Sequence, residues 1–263
     1  MSNAVVLCAT DRRGVATVTL NRPEVNNAYN AEVVEALLDT FTGLAADPSV
    51  RVIVVRGNGR HFQAGADLKW LQEIGRMDAR ANRATSQKTA AAMRGLNDME
   101  KPTVALVHGA CVGGGTGIVA SCDIVIAERS ATFAISEARW GVAATVIFPQ
   151  LNAAIGIRQV RRYALTCERF DAERALSLGL VHEVCAPGQL DTAAAPVIDG
   201  LLKAGPQAIA LTKRSAMLSA GASMSDAEFE RLVAEHAAKR QTPEAAEGLQ
   251  SFVEKREAKW YVQ

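Results

Sequence analysis

A dominant sign of charge is the first thing this 263-residue chain lacks: 29 Lys and Arg stand against 28 Asp and Glu. No global field therefore draws it to nucleic acid or to an anionic membrane surface, and any anion it binds must be held by local groups. Cysteine pairs are missing too. Cys8, Cys111, Cys122, Cys167 and Cys185 are odd in number, scattered, and form no Cys-x-x-Cys, which argues against a disulfide framework and against a zinc site. A reducing cytoplasm is the expected setting. His61, His108, His182 and His236 have no metal-ligand spacing, so structural roles are expected for them and no metal. The most apolar stretch, Val104 to Ala127, is interrupted by His108, five glycines and Asp123. It reads as core strands and a turn, not as a membrane span. Asp11, Arg12 and Arg13 follow a short apolar start without a small-residue cleavage pattern, so no signal peptide is expected.

What is present suits an ordinary folded protein, with 49% apolar and 22% charged residues. The length allows one large α/β domain, with or without a small helical appendage. Gly14 to Leu20 alternates apolar and hydroxyl residues and stops at Asn21-Arg22-Pro23, predicting a strand and a turn. Asn30 is positioned to cap a helix to about Ala46, on which Val33, Val34, Leu37, Leu38, Phe41 and Leu44 form a stripe. Val50 to Val55 is a β-branched run suited to a strand buried on both faces. Thr103 to Val107, Asp123 to Ala127 and Thr132 to Ile135 read as further strands, alternating with helical segments in the manner of an α/β fold. Beyond about Arg158 the pattern becomes mostly helical, with weak strand signals near Leu180 to Val184. Ser225 with Glu228 predicts a capping box, and Thr242-Pro243 opens a last helix carrying Leu249, Phe252 and Val253 on one side. The expected division is a core over residues 1–200 and a helical region over 201–263.

Two glycine-containing turns follow strands and open helices: Phe62-Gln63-Ala64-Gly65-Ala66-Asp67-Leu68, and Gly113-Gly114-Gly115-Thr116-Gly117. Glycine there lets backbone approach a ligand and leaves N–H groups at a helix start without partners, so two such turns can hold a developing oxyanion. No phosphate loop or dinucleotide fingerprint is completed. Asp67, just after the first turn, is expected to complement the dipole of the following helix. Lys69, Arg76, Arg80 and Arg83 read as solvated charge.

Together with Asn21-Arg22-Pro23 and Asn27-Ala28, Cys122-Asp123-Ile124, Phe133 to Gly141, Ala175 to Val181 and Glu254-Lys255-Arg256, these turns make the chain resemble the crotonase (enoyl-CoA hydratase/isomerase) superfamily over essentially its whole length. The resemblance implies a spiral of ββα units with a helical C-terminal region, assembled as trimers or hexamers. It also implies an acyl-CoA thioester substrate, with coenzyme A as part of that substrate and no separate cofactor. By the same resemblance the backbone N–H groups of Ala66 and Gly114 hold the thioester oxygen, and Glu137 is the acid/base. Coenzyme A would run along Val25, Ala64, Ala66, Leu68 and Lys69, with Lys255 and Lys259 reaching it from a neighbouring subunit. Gly117, Trp140, Val142, Ala143 and Ala144 would line the acyl pocket.

Hydratases of this family generally carry a second glutamate, at the position of Gly117 here; the hydroxyl of Thr116 could at most orient water. The segments Gly113 to Ala127, Arg162 to Phe170 and Gly179 to Val184 look most like hydratases of 3-substituted glutaconyl-CoA, acting in leucine or acyclic terpene breakdown. In the methylglutaconyl-type relatives the stretch after Glu137 is bulkier than Val142-Ala143-Ala144, so a larger pocket is expected. A Δ3,Δ2-enoyl-CoA isomerase using one glutamate is the nearest alternative. A non-catalytic binding member of the fold is a third.

Overall fold

The computed structural model describes residues 4–260. Its main sheet has six strands. An N-terminal strand, β1 (Val6–Thr10), pairs antiparallel with β2 (Val15–Leu20), and β2 is followed in parallel by β3 (Val52–Gly57), β4 (Thr103–Val107), β6 (Ile124–Glu128) and β9 (Glu183–Cys185). The β-branched runs are continuous because both faces are covered. Ala16, Val18, Ile53, Val55, Ala105, Val107, Val125 and Ala127 enter the principal core. The alternate residues Val15, Val52, Val54, Val104, Leu106 and Ile126 pack against Leu190 and Ala194 of the helix α7 (Leu190–Lys203). Residue 200 falls inside this helix.

A second, small sheet joins β5 (Ala110–Val112) in parallel to β7 (Thr132–Ala134), which pairs antiparallel with β8 (Phe170–Asp171). Single bridges extend it through Gln63 to Cys111 and between Tyr29 and Ala66. The chain thus winds through successive strand, strand, helix passages between two sheets, the α/β crotonase-type architecture expected.

Asn30 caps α1 (Ala31–Ala46) by accepting the Val33 N–H, and the expected stripe is buried at Val33, Val34, Leu37, Phe41 and Leu44. The helices α5 (Phe148–Thr166) and α6 (Ala172–Leu178) open the mostly helical stretch, whereas α3 (Ala79–Asn97) and the strands β1, β5 and β8 were not legible in the sequence. The buried face of α3 is Asn82, Ser86, Thr89, Ala90, Ala92, Met93 and Leu96, so its inward side shows only a weak apolar period. In the tail, α9 (Asp226–Arg240) packs on α3, and α10 (Pro243–Val253) packs on α2 (Leu68–Gly75) and on the turn at Glu137–Trp140. These two helices cover their own chain. Ser225 accepts the Glu228 N–H, but the Glu228 carboxylate turns to Arg231, so only half of the capping box forms. The expected stripe on α10 also splits: Leu249 is buried, whereas Phe252 and Val253 are exposed.

Candidate active site

The first turn is held by Asn27. This residue is buried and adopts a positive φ of 57°. Its Oδ1 accepts the Arg22 N–H, while its Nδ2 donates to the carbonyls of Asn58, His61 and Phe62. The pairing of Asn21-Arg22-Pro23 with Asn27 is therefore a clamp that fixes the chain entering Ala64. Gly65 then turns at φ 87°, the Tyr29 N–H donates to the Gly65 carbonyl, and the Asp67 N–H donates to Tyr29. Both bonds flank Ala66, whose own N–H has no partner among the described residues.

Gly113 (φ 57°) closes the second turn and opens α4 (Gly114–Ser121). Its N–H donates to the Ala134 carbonyl, whereas the Gly114 N–H, the first of the helix, lacks an intrahelical acceptor. The two turns touch: a Cβ on Gly113 would lie 3.5 Å from the Cα of Gly65, and one on Gly114 would lie 2.5 Å from the Tyr29 ring. Only glycine permits this approach.

The same hypothetical Cβ on Gly113 would lie 3.0 Å from Oε1 of Glu137, so the carboxyl faces the junction of the turns. Glu137 begins the short 3-10 turn Glu137–Trp140, and its Oε2 is buried without a hydrogen-bond partner among the described residues. Burial pushes its pKa up to about 7, with nearby backbone N–H groups pulling the other way. The tail fixes this turn. Gly141 (φ 67°) lies against the Glu244 carbonyl of α10, and Gly248 of α10 lies against the Trp140 carbonyl; a Cβ at either position would approach to 2.5 or 2.4 Å. Glu137, Ala66 and Gly114 all line one cavity of about 990 Å³.

A sequence model described as enoyl-CoA hydratase/isomerase matches residues 10–263. The chain belongs to the enoyl-CoA hydratase/isomerase family. It is 33% identical to the mevalonyl-coenzyme A hydratase of Aspergillus fumigatus, over 94% of this chain and 91% of that protein. It is 30% identical to the trans-2-decenoyl-[acyl-carrier-protein] isomerase of Streptococcus mutans, over 94% of each. The crystal structure of an enoyl-CoA hydratase from Mycobacterium avium superposes with a TM-score of 0.85 at 32% identity, covering 99% of this chain and 100% of that one.

Most of the residues singled out by resemblance to this family share the cavity: Val25, Ala64, Ala66, Leu68 and Lys69 on one side, and Trp140, Val142, Ala143 and Ala144 on another. Gly117 does not. It is buried behind the wall, where a Cβ would meet Cγ2 of Ile147 at 2.4 Å. Ile147 itself lines the cavity, so an apolar side chain from outside α4 fills the space into which a side chain at 117 would project. The Thr116 hydroxyl is equally unavailable to water, being fully buried and donating to the Gly113 carbonyl at 2.6 Å. Lys255 and Lys259 lie exposed outside the cavity of their own chain, with Lys259 paired to Glu247 at 3.5 Å. Asp67 caps α2 by accepting the Lys69 N–H and stands 3.6 Å from Arg22, the structural role expected of it. Asp123 ties Thr103 and Lys213 together and so pins α8 (Pro206–Ser219) to the sheet.

Among the cavity residues that the sequence did not point to as part of the site are Tyr29, Arg240 and His236, the last expected only in a structural role. Tyr29 is close to the clamp but carries no motif signature. The signal for the other two was present, since His236 and Arg240 interrupt the buried stripe Leu232, Val233, Ala237 of α9 one helical turn apart. Among the described residues, no group of three or more His, Cys, Asp or Glu side chains is placed to hold a metal ion, and no helix is long and apolar enough to cross a membrane.

Proposed function

We propose that the protein adds water across the α,β double bond of a 3-substituted glutaconyl-CoA, such as the 3-methyl or isohexenyl compound of leucine or acyclic terpene breakdown. One observation carries the hydration: the carboxyl of Glu137, whose Oε2 is buried without a partner among the described residues, faces the junction of two turns that each present a free backbone N–H. The N–H groups of Ala66 and Gly114 hold the thioester oxygen. Glu137 as carboxylate takes a proton from water as the oxygen bonds to C3, and the π electrons move into the thioester enolate that the two N–H groups stabilise. Glu137, now protonated, returns the proton to C2. A single carboxyl serves both transfers because its pKa near 7 lets it hold either state at neutral pH. Coenzyme A enters as part of the substrate along Val25, Ala64, Leu68 and Lys69, so the reaction consumes no separate cofactor. Small side chains at Ala143 and Ala144 leave room for the substituent on C3.

The second reading, a Δ3,Δ2-enoyl-CoA isomerase, is favoured by the packing of Ile147 over Gly117, which leaves no room for a second carboxyl at position 117; moving one proton between two carbons needs only Glu137. Mass analysis of products from crotonyl-, 3-methylglutaconyl- and 3-enoyl-CoA in H₂¹⁸O separates the two readings. Incorporation of ¹⁸O at C3 is expected; double-bond migration without incorporation would overturn hydration in favour of isomerisation.

The chain also assembles, in this reading, as a homotrimer or a hexamer. Ile157, Leu165 and Leu176 on one surface and Leu211 and Leu218 on α8 are exposed in the single chain, and a second copy would cover them. Lys255 and Lys259 would then serve the coenzyme A of a neighbour. Light scattering at micromolar concentration is expected to give a multiple of three chains; a monomer would refute the assembly.

A further inference from the structure

Arg240 is the most deeply buried cation of the cavity, only 3% exposed. Its guanidinium is held by neutral acceptors alone. Nε and Nη2 donate to Asn82 Oδ1 at 3.2 and 2.9 Å, and Nη2 donates further to the Asn82 carbonyl at 3.2 Å and to Ser86 Oγ at 2.5 Å. No Asp or Glu among the described residues forms an ion pair with it. Nη1 makes no hydrogen bond to any described residue. His236 beside it cannot share the charge, since burial and Arg240 hold its pKa down to about 3. A buried cation without a counter-charge is unfavourable unless something supplies one. Here the group opens on a substrate cavity.

We infer that Arg240 receives a carboxylate at the far end of the acyl chain, so that the substrate class is the monothioester of a dicarboxylic acid. This rests on the reading of the cavity as an acyl-CoA site and names the residue that would recognise the second acid group. Position decides between this anion and the phosphates of coenzyme A. The phosphates are separated from the thioester by the whole pantetheine arm. Arg240, by contrast, lines the same cavity as Gly114, Glu137 and Tyr29; the Tyr29 phenol, set against Gly114, has its pKa pushed up by burial and Glu137 and pulled down by Arg240. The carboxylate of a five-carbon diacyl chain stands only four bonds from the thioester carbon, within the acyl part of the substrate. The cavity lining carries both kinds of group, Thr89 and Tyr29 as well as Met93, Val142 and Val146, so a substrate with one polar and one apolar branch finds partners for each.

The test needs no variant at first. Glutaryl-CoA and pentanoyl-CoA have the same chain length, differ only in carboxylate against methyl, and cannot be hydrated. Calorimetric titration of the intact protein is expected to show glutaryl-CoA binding about 10- to 100-fold more tightly, the usual advantage of a charge-assisted hydrogen bond; equal or weaker binding overturns the inference. Arg240→Met should remove most of that ratio and Arg240→Lys should keep part of it. A ratio that survives Arg240→Met would place the acid group elsewhere and overturn the role of Arg240. If both ligands weaken together, the arginine serves only to join α3 and α9 and the inference also falls. Failure of the hydration reading shows separately, as absence of water addition to any enoyl-CoA whatever the binding ratio.

Discussion

The two sides of the cavity are built on different principles. One side is backbone: the turns at Gly65 and Gly113, clamped by Asn27 and bonded into the small sheet, present N–H groups whose positions depend on glycine and not on any side chain's chemistry. The other side is made of side chains lent by distant segments: Glu137 on a 3-10 turn, Arg240 and His236 on α9, Thr89 on α3, all fixed by helices of the tail folding over their own chain. The glycines of the backbone turns leave little room for an added atom, a Cβ on Gly114 lying 2.5 Å from the Tyr29 ring. The side-chain wall is open to substitution, and it sets which acyl group fits.

The sharpest way to break this comparison is Gly114→Pro, which deletes one donor. Proline is well accommodated at the first position of a helix, although its Cβ would press on Tyr29. Gly114→Ala carries the same Cβ and keeps the N–H, so it is the control. In steady-state kinetics kcat of the proline variant is expected to fall about 10²- to 10³-fold below that of the alanine variant, the usual cost of an oxyanion donor. Equal rates would remove Gly114 from the chemistry.

On the side-chain wall, Glu137→Gln should lower kcat by at least about 10²-fold. For the unmodified protein kcat/KM should fall about tenfold per pH unit below pH 7, where the free carboxyl becomes protonated, and activity without that limb would assign the base elsewhere. Stability should move the other way. The folded pKa of Glu137 is raised, so its contribution is fully present below pH 4.5 and is lost as pH rises to about 7. Thermal denaturation should find Glu137→Gln more stable than the parent at pH 8, by up to roughly 3 kcal/mol, and the gap should close below pH 4.5.

A weaker effect is expected where the two sides meet. Gly248→Ala places a Cβ against the Trp140 carbonyl, which should cost about 1–3 kcal/mol by overpacking and lower kcat by shifting the Glu137 turn. An unchanged melting temperature would mean that α10 does not hold that turn. Smallest is Ala143→Leu. The parent should prefer a long 3-alkenyl glutaconyl-CoA over the 3-methyl compound, each extra buried methylene adding roughly 0.8 kcal/mol; the leucine should reverse the order of kcat/KM. Equal turnover of both substrates by the parent would refute the enlarged pocket and leave the hydration chemistry standing.

Much of the backbone side could be read in the sequence because its signals are local. Glycine at a strand-to-helix turn, a β-branched run before it and Asn30 capping a helix each depend on a few neighbouring residues, and each is found where it was expected. The family resemblance added Glu137 by position. The side-chain wall was less legible. The inward face of α3 is polar because it meets Arg240 and His236 from α9 some 150 positions away in the chain, and polarity at helical spacing normally signals solvent. Gly117 looked like a missing wall residue, when Ile147 fills that place from another element.

Composition, turn chemistry and alternating patterns in this sequence thus determine an α/β fold with two free N–H donors, since those properties are settled within a strand and the turn that follows it. Only the tertiary structure decides that Glu137 faces the junction of those turns with its Oε2 buried, that α10 meets its turn glycine against carbonyl, and that the buried guanidinium of Arg240 stands in the cavity without a carboxylate partner among the described residues. Burial is a property of what packs on a residue from elsewhere in the chain, and it is burial that raises the Glu137 pKa and leaves Arg240 without a counter-charge.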